Sequence, residues 1–248
     1  MTFTICLTVY GRPTKLERTL KSIQIHVCKS WQIVIIFSHH NDLKIENLHE
    51  LVEKYLSDRK LRIKTIDPTG VYSALNAAIL EVETDYFTFC HSDDQYVQSV
   101  SDATIDIKEI SKFDIYSYPI FIDDKVSKPR STDDLSYDIS INHMCTFFKT
   151  STHRLYIYDT RFKFSADWDA MIRMTNGGAK ISTGNYTFLA FETSGLSSSV
   201  SLRRLFEDLS ILFTTPWTPR TANRKIVRIF KEIGGYFVGT FKRSYKHL

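Results

Sequence analysis

Little in this chain of 248 residues interrupts its continuity. Nine glycines and six prolines are too few for long flexible linkers or a collagen-like repeat. Four cysteines, Cys6, Cys28, Cys90 and Cys145, stand far apart with no CxxC pair. That argues against a disulfide framework or zinc site and for reduced, buried thiols. No apolar run approaches the ~18 residues of a membrane span. No basic segment precedes the first apolar stretch, so the N-terminus reads as a strand rather than a signal peptide. The phosphate-cradling patterns GxGxxG and GxxxxGK[ST] are both missing, which argues against a nicotinamide dehydrogenase or P-loop enzyme. The eight histidines show no HxxxH spacing.

What is present is ordinary for a globular chain: 43% hydrophobic and 24% charged residues, enough to bury a core and to exclude wholesale disorder. Net charge is +4 but unevenly placed. Residues 220–248 hold eight basic side chains against one acid, Glu232, a net of +7 that leaves the rest at −3. A mildly acidic body with a basic tail predicts contact between the tail and an anionic surface. Nucleic acid is not expected, because aromatic and basic residues are not interleaved on strands.

Apolar, β-branched runs predict strands at residues 3–9, 32–37, 61–66 and 86–90. Between them, helical periodicity covers 13–27, 47–56 and 70–82. Continuous apolar strands alternating with helices indicate a parallel sheet covered on both faces. After residue 101 the rhythm changes to α+β. A helix is expected over 102–110, a strand at 115–118, a polar stretch to 140, a strand at 145–149 and a helix over 167–176. Short strands at 180–183 and 186–191 are separated by a Gly184-Asn185 turn signal. Two helices close the chain. The first carries an apolar row of Leu202, Leu205, Phe206, Leu209, Leu212 and Phe213. The second sets Ile226, Ile229, Phe230, Ile233 and Phe237 opposite Arg224, Lys225, Arg228 and Lys231.

In an open parallel sheet, ligands bind beyond the carboxyl ends of the strands. The residues there are Thr8, Tyr10 and Arg12; Ser38 to Asp42; Asp67; and His91 to Asp94. Asp-Asp occurs three times, but only Asp93-Asp94 follows an apolar strand. Adjacent carboxylates there suit a hard divalent cation holding a diphosphate.

Residues 70–94, GVYSALNAAILEVETDYFTFCHSDD, resemble the middle of bacterial family 2 glycosyltransferases. That pattern runs G-[IV]-Y-D-A-M-N-x-G-I, then T-G-D-Y, a buried strand and S-D-D. ICLTVYGRPTKLERTLKSI (5–23) resembles the family's first strand and helix, and FKFSADWDAMIRM (162–174) its S-D-Y-D-L-x-x-R segment. Weaker blocks at Asn142-His143, Phe147-Phe148 and 193–197 follow in order. The variant with this central block is common among enzymes of bacterial surface-polysaccharide assembly.

The resemblance implies a GT-A fold, α/β with a mostly parallel sheet. It implies a domain over 1–200, nucleotide-binding in 1–95 and acceptor-binding in 96–200, with 201–248 a basic helical extension. It implies Mn²⁺ or Mg²⁺ at Asp93 and Asp94, with Asp94 the direct ligand and Asp93 also against ribose or sugar. Thr8 and Tyr10 would touch the nucleotide, with Arg12 and Asp42 on the same rim. Gly70, Tyr72 and Asn76 would lie beside the sugar. Asp167 would be the catalytic base, supported by Asp169 and Arg173, with Asp169 the alternative base. His143 would touch phosphate or acceptor. The donor implied is a UDP- or GDP-sugar. The acceptor is a glycan or polyprenyl-diphosphate carrier at the cytoplasmic face of the plasma membrane, where the basic tail would dock.

The chain departs from the family at the end of its second strand, where Phe37 and Ser38 replace acids. Ser73, Ala78 and Gly11 are further departures. Two rival readings follow: a sugar-nucleotide-binding scaffold without catalysis, and a nucleotidyltransferase. The loop Tyr10-Gly11-Arg12-Pro13 is too short to wrap the triphosphate that the second requires.

Overall fold

The computed structural model describes residues 2–101, 104–123, 125–130, 135, 136, 138, 141–191, 201–216, 218, 219 and 221–245, with side chains in the last segment at 221–234 and 236. The expected block at 193–197, the domain boundary at 200, and Asp124, Asp133 and Asp134 lie outside them.

The first half alternates as the apolar pattern dictates. Strands β1 (Phe3–Tyr10), β2 (Gln32–Ser38), β3 (Leu61–Ile66) and β4 (Tyr86–His91) are connected by α1 (Pro13–His26), α2 (Ile45–Leu56) and α3 (Val71–Glu81). Pro13 starts α1 where its missing N–H costs nothing. Leu16, Leu20 and Ile23, at helical spacing, turn its apolar face onto the sheet. β1 is buried along all but its last residue, as a central parallel strand must be. The chain passes from β1 through β2 to β3 and then crosses back to place β4 on the other side of β1. That reversal makes β1/β4 the switch point where a cleft opens.

The second half comprises β5 (Gln95–Tyr96), α4 (Ile107–Ile110), β6 (Ile115–Ser117), β7 (Ile120–Ile122), β8 (Lys125–Ser127), β9 (Thr146–Lys149), α5 (Thr150–Leu155), α6 (Ala166–Asn176), β10 (Ile181–Thr183), β11 (Leu189–Phe191), α7 (Leu202–Thr214) and α8 (Ala222–Tyr245). Among the described residues the main sheet has the order β10-β6-β9-β4-β1-β2-β3, with only β9 reversed. A second sheet has the order β5-β11-β7-β8.

Four sequence expectations change here. The helix over 102–110 shrinks to α4, where the Asp106 carboxylate accepts from Glu109 N. The polar stretch before residue 140 contains the hairpin β7–β8. Gly184-Asn185 does not form a hairpin: β10 pairs with β6, and β11 joins the second sheet. A Cβ at Gly184 would fall 2.3 Å from the Tyr118 ring, so the glycine serves close passage rather than a turn. The closing helices are also rotated from their expected faces. α7 turns Glu207, Asp208, Ile211 and Leu212 inward. α8 turns Lys225 inward, where its ammonium donates to the carbonyls of Leu212 and Thr215 and caps the end of α7. Arg228 likewise pairs with Asp138 and Glu232. Ile211 and Leu212 close a small second core with Trp168 and Ile172 of α6. No helix among the described residues is long and apolar enough to cross a membrane.

Candidate active site

β1 and β4 pair in a register that sets Thr8 beside His91, and the Thr8 hydroxyl lies 2.5 Å from His91 Nδ1. Three and four residues after Thr8, Gly11 and Arg12 both take left-handed φ, +62° and +52°. A side chain at Gly11 would strike the His40 ring, with its Cβ 2.7 Å from Nδ1. This turn brings the Arg12 guanidinium to Asp93, Nη1 to Oδ2 3.4 Å. Tyr10 is exposed and meets the His40 ring edge-on, centroids 4.5 Å apart, forming an aromatic shelf beside the strand ends. Next to that shelf, the ends of β2 and β3 leave a cavity of about 480 Å³ lined by His39, His40, Asn41 and Pro68 among others. Asp42 lies outside that lining, 3.4 Å from His40 Nδ1.

The two adjacent acids separate. Asp94 is wholly buried, its carboxylate accepting from the His91 backbone N–H at 2.9 Å while Thr19 donates to its carbonyl at 2.6 Å. It fastens the turn after β4 onto α1. Asp93 is the acid of the pair with solvent access.

Deeper in, a chain of contacts crosses from β4 to α6. The His91 and His143 rings lie 6.1 Å apart. Burial pushes the His91 pKa down to about 3, so its imidazole is neutral. His143 Nδ1 lies 3.0 Å from Asp167 Oδ2, and the single Tyr72 hydroxyl proton is shared between Asp167 Oδ1 at 3.0 Å and the Phe164 carbonyl at 2.8 Å. His143 Nε2 is buried with no hydrogen-bond partner among the described residues. Burial works against charge on Asp167, yet the bonds from His143 and Tyr72 hold its pKa below the usual carboxylate value. Its place in the first turn of α6 adds the favourable end of the helix dipole.

Asp167 is also clamped from outside. Glu207 on α7 accepts from the backbone N–H groups of Lys163, Phe164 and Ser165, and Asp208 accepts from the Ser165 hydroxyl. Desolvation raises the Asp208 pKa to about 6.

Of the expected site residues, the structure brings together Thr8, Tyr10, Arg12 and Asp93 on the rim, and Tyr72, His143 and Asp167 in one hydrogen-bonded group. Gly70 opens α3 at φ +118°, a backbone conformation that side chains rarely adopt. Asn76 is committed elsewhere: its amide exchanges two bonds with the Tyr158 backbone, at 2.8 and 2.9 Å. Asp169 and Arg173 pair with one another at 2.7 Å, and Arg173 also donates to the Ile157 carbonyl. Trp168 is core, its indole donating to the Leu135 carbonyl, whereas Trp217 lies outside the described residues. Sequence reasoning missed the Glu207–Asp208 clamp. Its only signal was a pair of acids inside an apolar helix.

A divalent cation can be tested against these donors. No cluster of three His, Cys, Asp or Glu side chains among the described residues could hold one. Asp93 nevertheless offers a carboxylate at the rim, and hard cations are commonly held by one carboxylate and the substrate's phosphates. The residues fit an ion assembled with its substrate.

Residues 4–174 match the model of glycosyl transferase family 2. No curated protein matches the chain in sequence. S. aureus TarS 1-349 in complex with UDP-GlcNAc superposes with a TM-score of 0.68 at 13% identity, over 94% of this chain and 72% of that one. The mannosyltransferase PcManGT from Pyrobaculum calidifontis, in complex with GDP-Man and Mn²⁺, gives 0.65 at 14%, over 93% and 69%. GalNAc-T7 with UDP, GalNAc and Mn²⁺ gives 0.61 at 11%, over 85% and 47%. The chain spans 43% of the longer TarS chain, with a TM-score of 0.68. At these identities the likeness is one of fold.

Proposed function

The chain belongs to glycosyl transferase family 2 and has its GT-A fold, and from that premise we propose that it moves a sugar from a UDP- or GDP-sugar to a hydroxyl of a glycan or polyprenyl-diphosphate-linked acceptor. The observation that carries this reading is Asp167, buried yet held ionised by His143 and Tyr72. A carboxylate kept charged away from bulk water is suited to take a proton from an approaching hydroxyl. Its oxygens accept from His143, Tyr72 and the Trp168 backbone N–H, and a carboxylate has lone-pair capacity for a further donor.

Thr8 and Tyr10 position the nucleoside, with the β2–β3 cavity taking the base. Arg12 and Asp93 face the diphosphate. Asp93 would hold Mn²⁺ or Mg²⁺, which when bound offsets the charge on the departing diphosphate. The acceptor oxygen bonds to the anomeric carbon as the bond to the diphosphate breaks, the leaving group keeps the electron pair, and Asp167 receives the acceptor's proton. One in-line displacement inverts the anomeric centre. Surface-polysaccharide assembly at the cytoplasmic membrane face supplies acceptors of this kind. The basic tail supports that location, and the extension from residue 201 begins with α7, whose Glu207 and Asp208 also hold the segment ahead of α6.

The test is a calorimetric panel of UDP-, GDP-, dTDP- and CMP-sugars with Mn²⁺ and with EDTA, followed by turnover with the binding donor. Metal-dependent binding of one donor, with sugar transfer, is expected. Binding without hydrolysis or transfer to any glycan would favour a scaffold. That reading draws on the end of β2, where Phe37 is buried and gives the base no carboxylate.

A further inference from the structure

The closing helices point their apolar residues the wrong way for a helix pair that merely packs on a body. Leu202, Phe206 and Phe213 of α7 and Ile226, Val227 and Phe230 of α8 are between 43% and 71% exposed. They are not scattered. On α7 the three fall at offsets 0, 4 and 11, one face of the helix. On α8, Ile226 and Phe230 fall at offsets 0 and 4, and the sequence repeats apolar residues at 233, 237 and 241 in the same row. Half-buried Leu209 and Ile229 both pack on the small core of Trp168, Ile172, Ile211 and Leu212. Leu209, at offset 7, falls in the α7 row itself, and Ile229 directly precedes Phe230, so both exposed rows adjoin this core.

The inversion has a physical cause. Lys225 is spent on capping α7, and Arg228 on Asp138 and Glu232. Two of the charges expected to face an anionic surface are therefore turned inward, and the apolar row is turned out. Arg224 and Lys231 remain exposed on α8, and Arg203, which also bonds Glu207, is exposed on α7. Phenylalanine and isoleucine on one face with lysine and arginine at the margin is the composition of a helix lying in a lipid interface. A second copy of the chain fits less well, because an isologous contact would set each +7 tail against its twin. The acidic remainder of the body is repelled by anionic headgroups, which favours approach by this face alone.

We propose that the paired outer faces of α7 and α8 dock on an anionic lipid surface by burying Leu202, Phe206, Phe213, Ile226, Val227 and Phe230, with the basic rim steering the approach. This deepens the membrane reading given above and is independent of donor chemistry. Apolar insertion, unlike attraction through a basic face, survives salt that screens charge.

The experiment is co-sedimentation of the full chain with vesicles of phosphatidylcholine and phosphatidylglycerol, at about 0.1 M and about 0.5 M NaCl. Binding is expected at both, weakened by salt but not abolished. Phe206→Glu with Phe230→Glu should weaken it by roughly tenfold or more, since each side chain loses an apolar burial site. Both positions are exposed, so circular dichroism and thermal unfolding of the double variant should match the parent. Donor binding in solution should be unchanged, which separates this test from that of the transferase reading. Binding that vanishes at high salt, or that the double variant retains in full, overturns the proposal. So does concentration-dependent self-association, abolished by the double variant, in a chain that ignores vesicles.

Discussion

Asp167 and His143, 24 residues apart in sequence, meet at 3.0 Å between the first turn of α6 and the 3₁₀ turn that precedes β9. The contact keeps the carboxylate ionised inside the protein and, together with Tyr72, fixes its orientation. Asp167→Asn should leave donor binding intact and lower turnover by roughly 10²–10⁴-fold, the usual worth of a general base. Calorimetry on the donor, alongside single-turnover rates, separates the two. Unchanged turnover removes Asp167 from the role and directs attention to Asp169.

Tyr72 supplies the second bond to that carboxylate. Because the bond lowers the Asp167 pKa, Tyr72→Phe should raise it and move the acid limb of the kcat profile to higher pH. Folding should weaken by about 1–2 kcal/mol, since the Phe164 carbonyl also loses a donor. A profile that shifts to lower pH, or not at all, contradicts the assignment.

Asp93 and Asp94 should behave oppositely although they are neighbours. Asp94→Ala removes a buried acceptor from the His91 N–H and should lower Tm by several degrees with or without metal. Asp93→Ala should leave Tm close to the parent and abolish the difference in donor affinity between Mn²⁺ and EDTA. Isothermal titration of both variants decides whether Asp93 is the ligand or Asp94 keeps that role.

Asp208 predicts a pH dependence of stability. Its folded pKa is raised to about 6 from the ordinary carboxylate value of 3.8, first by burial. Between those values the folded state keeps a proton that the unfolded state has lost. Its contribution to stability is therefore complete below about pH 4 and falls as pH rises to about 6, by of the order of 1–3 kcal/mol. Asp208→Asn can keep an acceptor for Ser165 and should flatten this fall. Thermal unfolding from pH 4 to pH 7 for both proteins tests it.

The first half of the fold was legible because β1, β2 and β4 are buried on both faces and announce themselves as apolar runs. Their carboxyl ends then located Thr8, Tyr10, Arg12 and Asp93. Legibility stopped where tertiary contacts decide. β7 and β8 are three residues each and exposed in part, too short to show an alternation. Nothing local distinguishes Asn76 facing a sugar from Asn76 bonded to the Tyr158 backbone. The closing helices showed their periodicity but not their orientation. A lysine on a polar face reads as solvated unless one knows that α7 ends beside it with unsatisfied carbonyls.

The family match ends at residue 174, yet the three backbone N–H groups ahead of α6 are gathered by Glu207. The boundary drawn by sequence likeness and the one drawn by mechanics differ by at least one helix. A change on α7 can therefore alter the setting of Asp167 through Lys163, Phe164 and Ser165. In this chain, tuning of the reaction is open to a part of the molecule with which family relatives need share nothing, and variation there is a route by which rate could drift while the pocket stays the same.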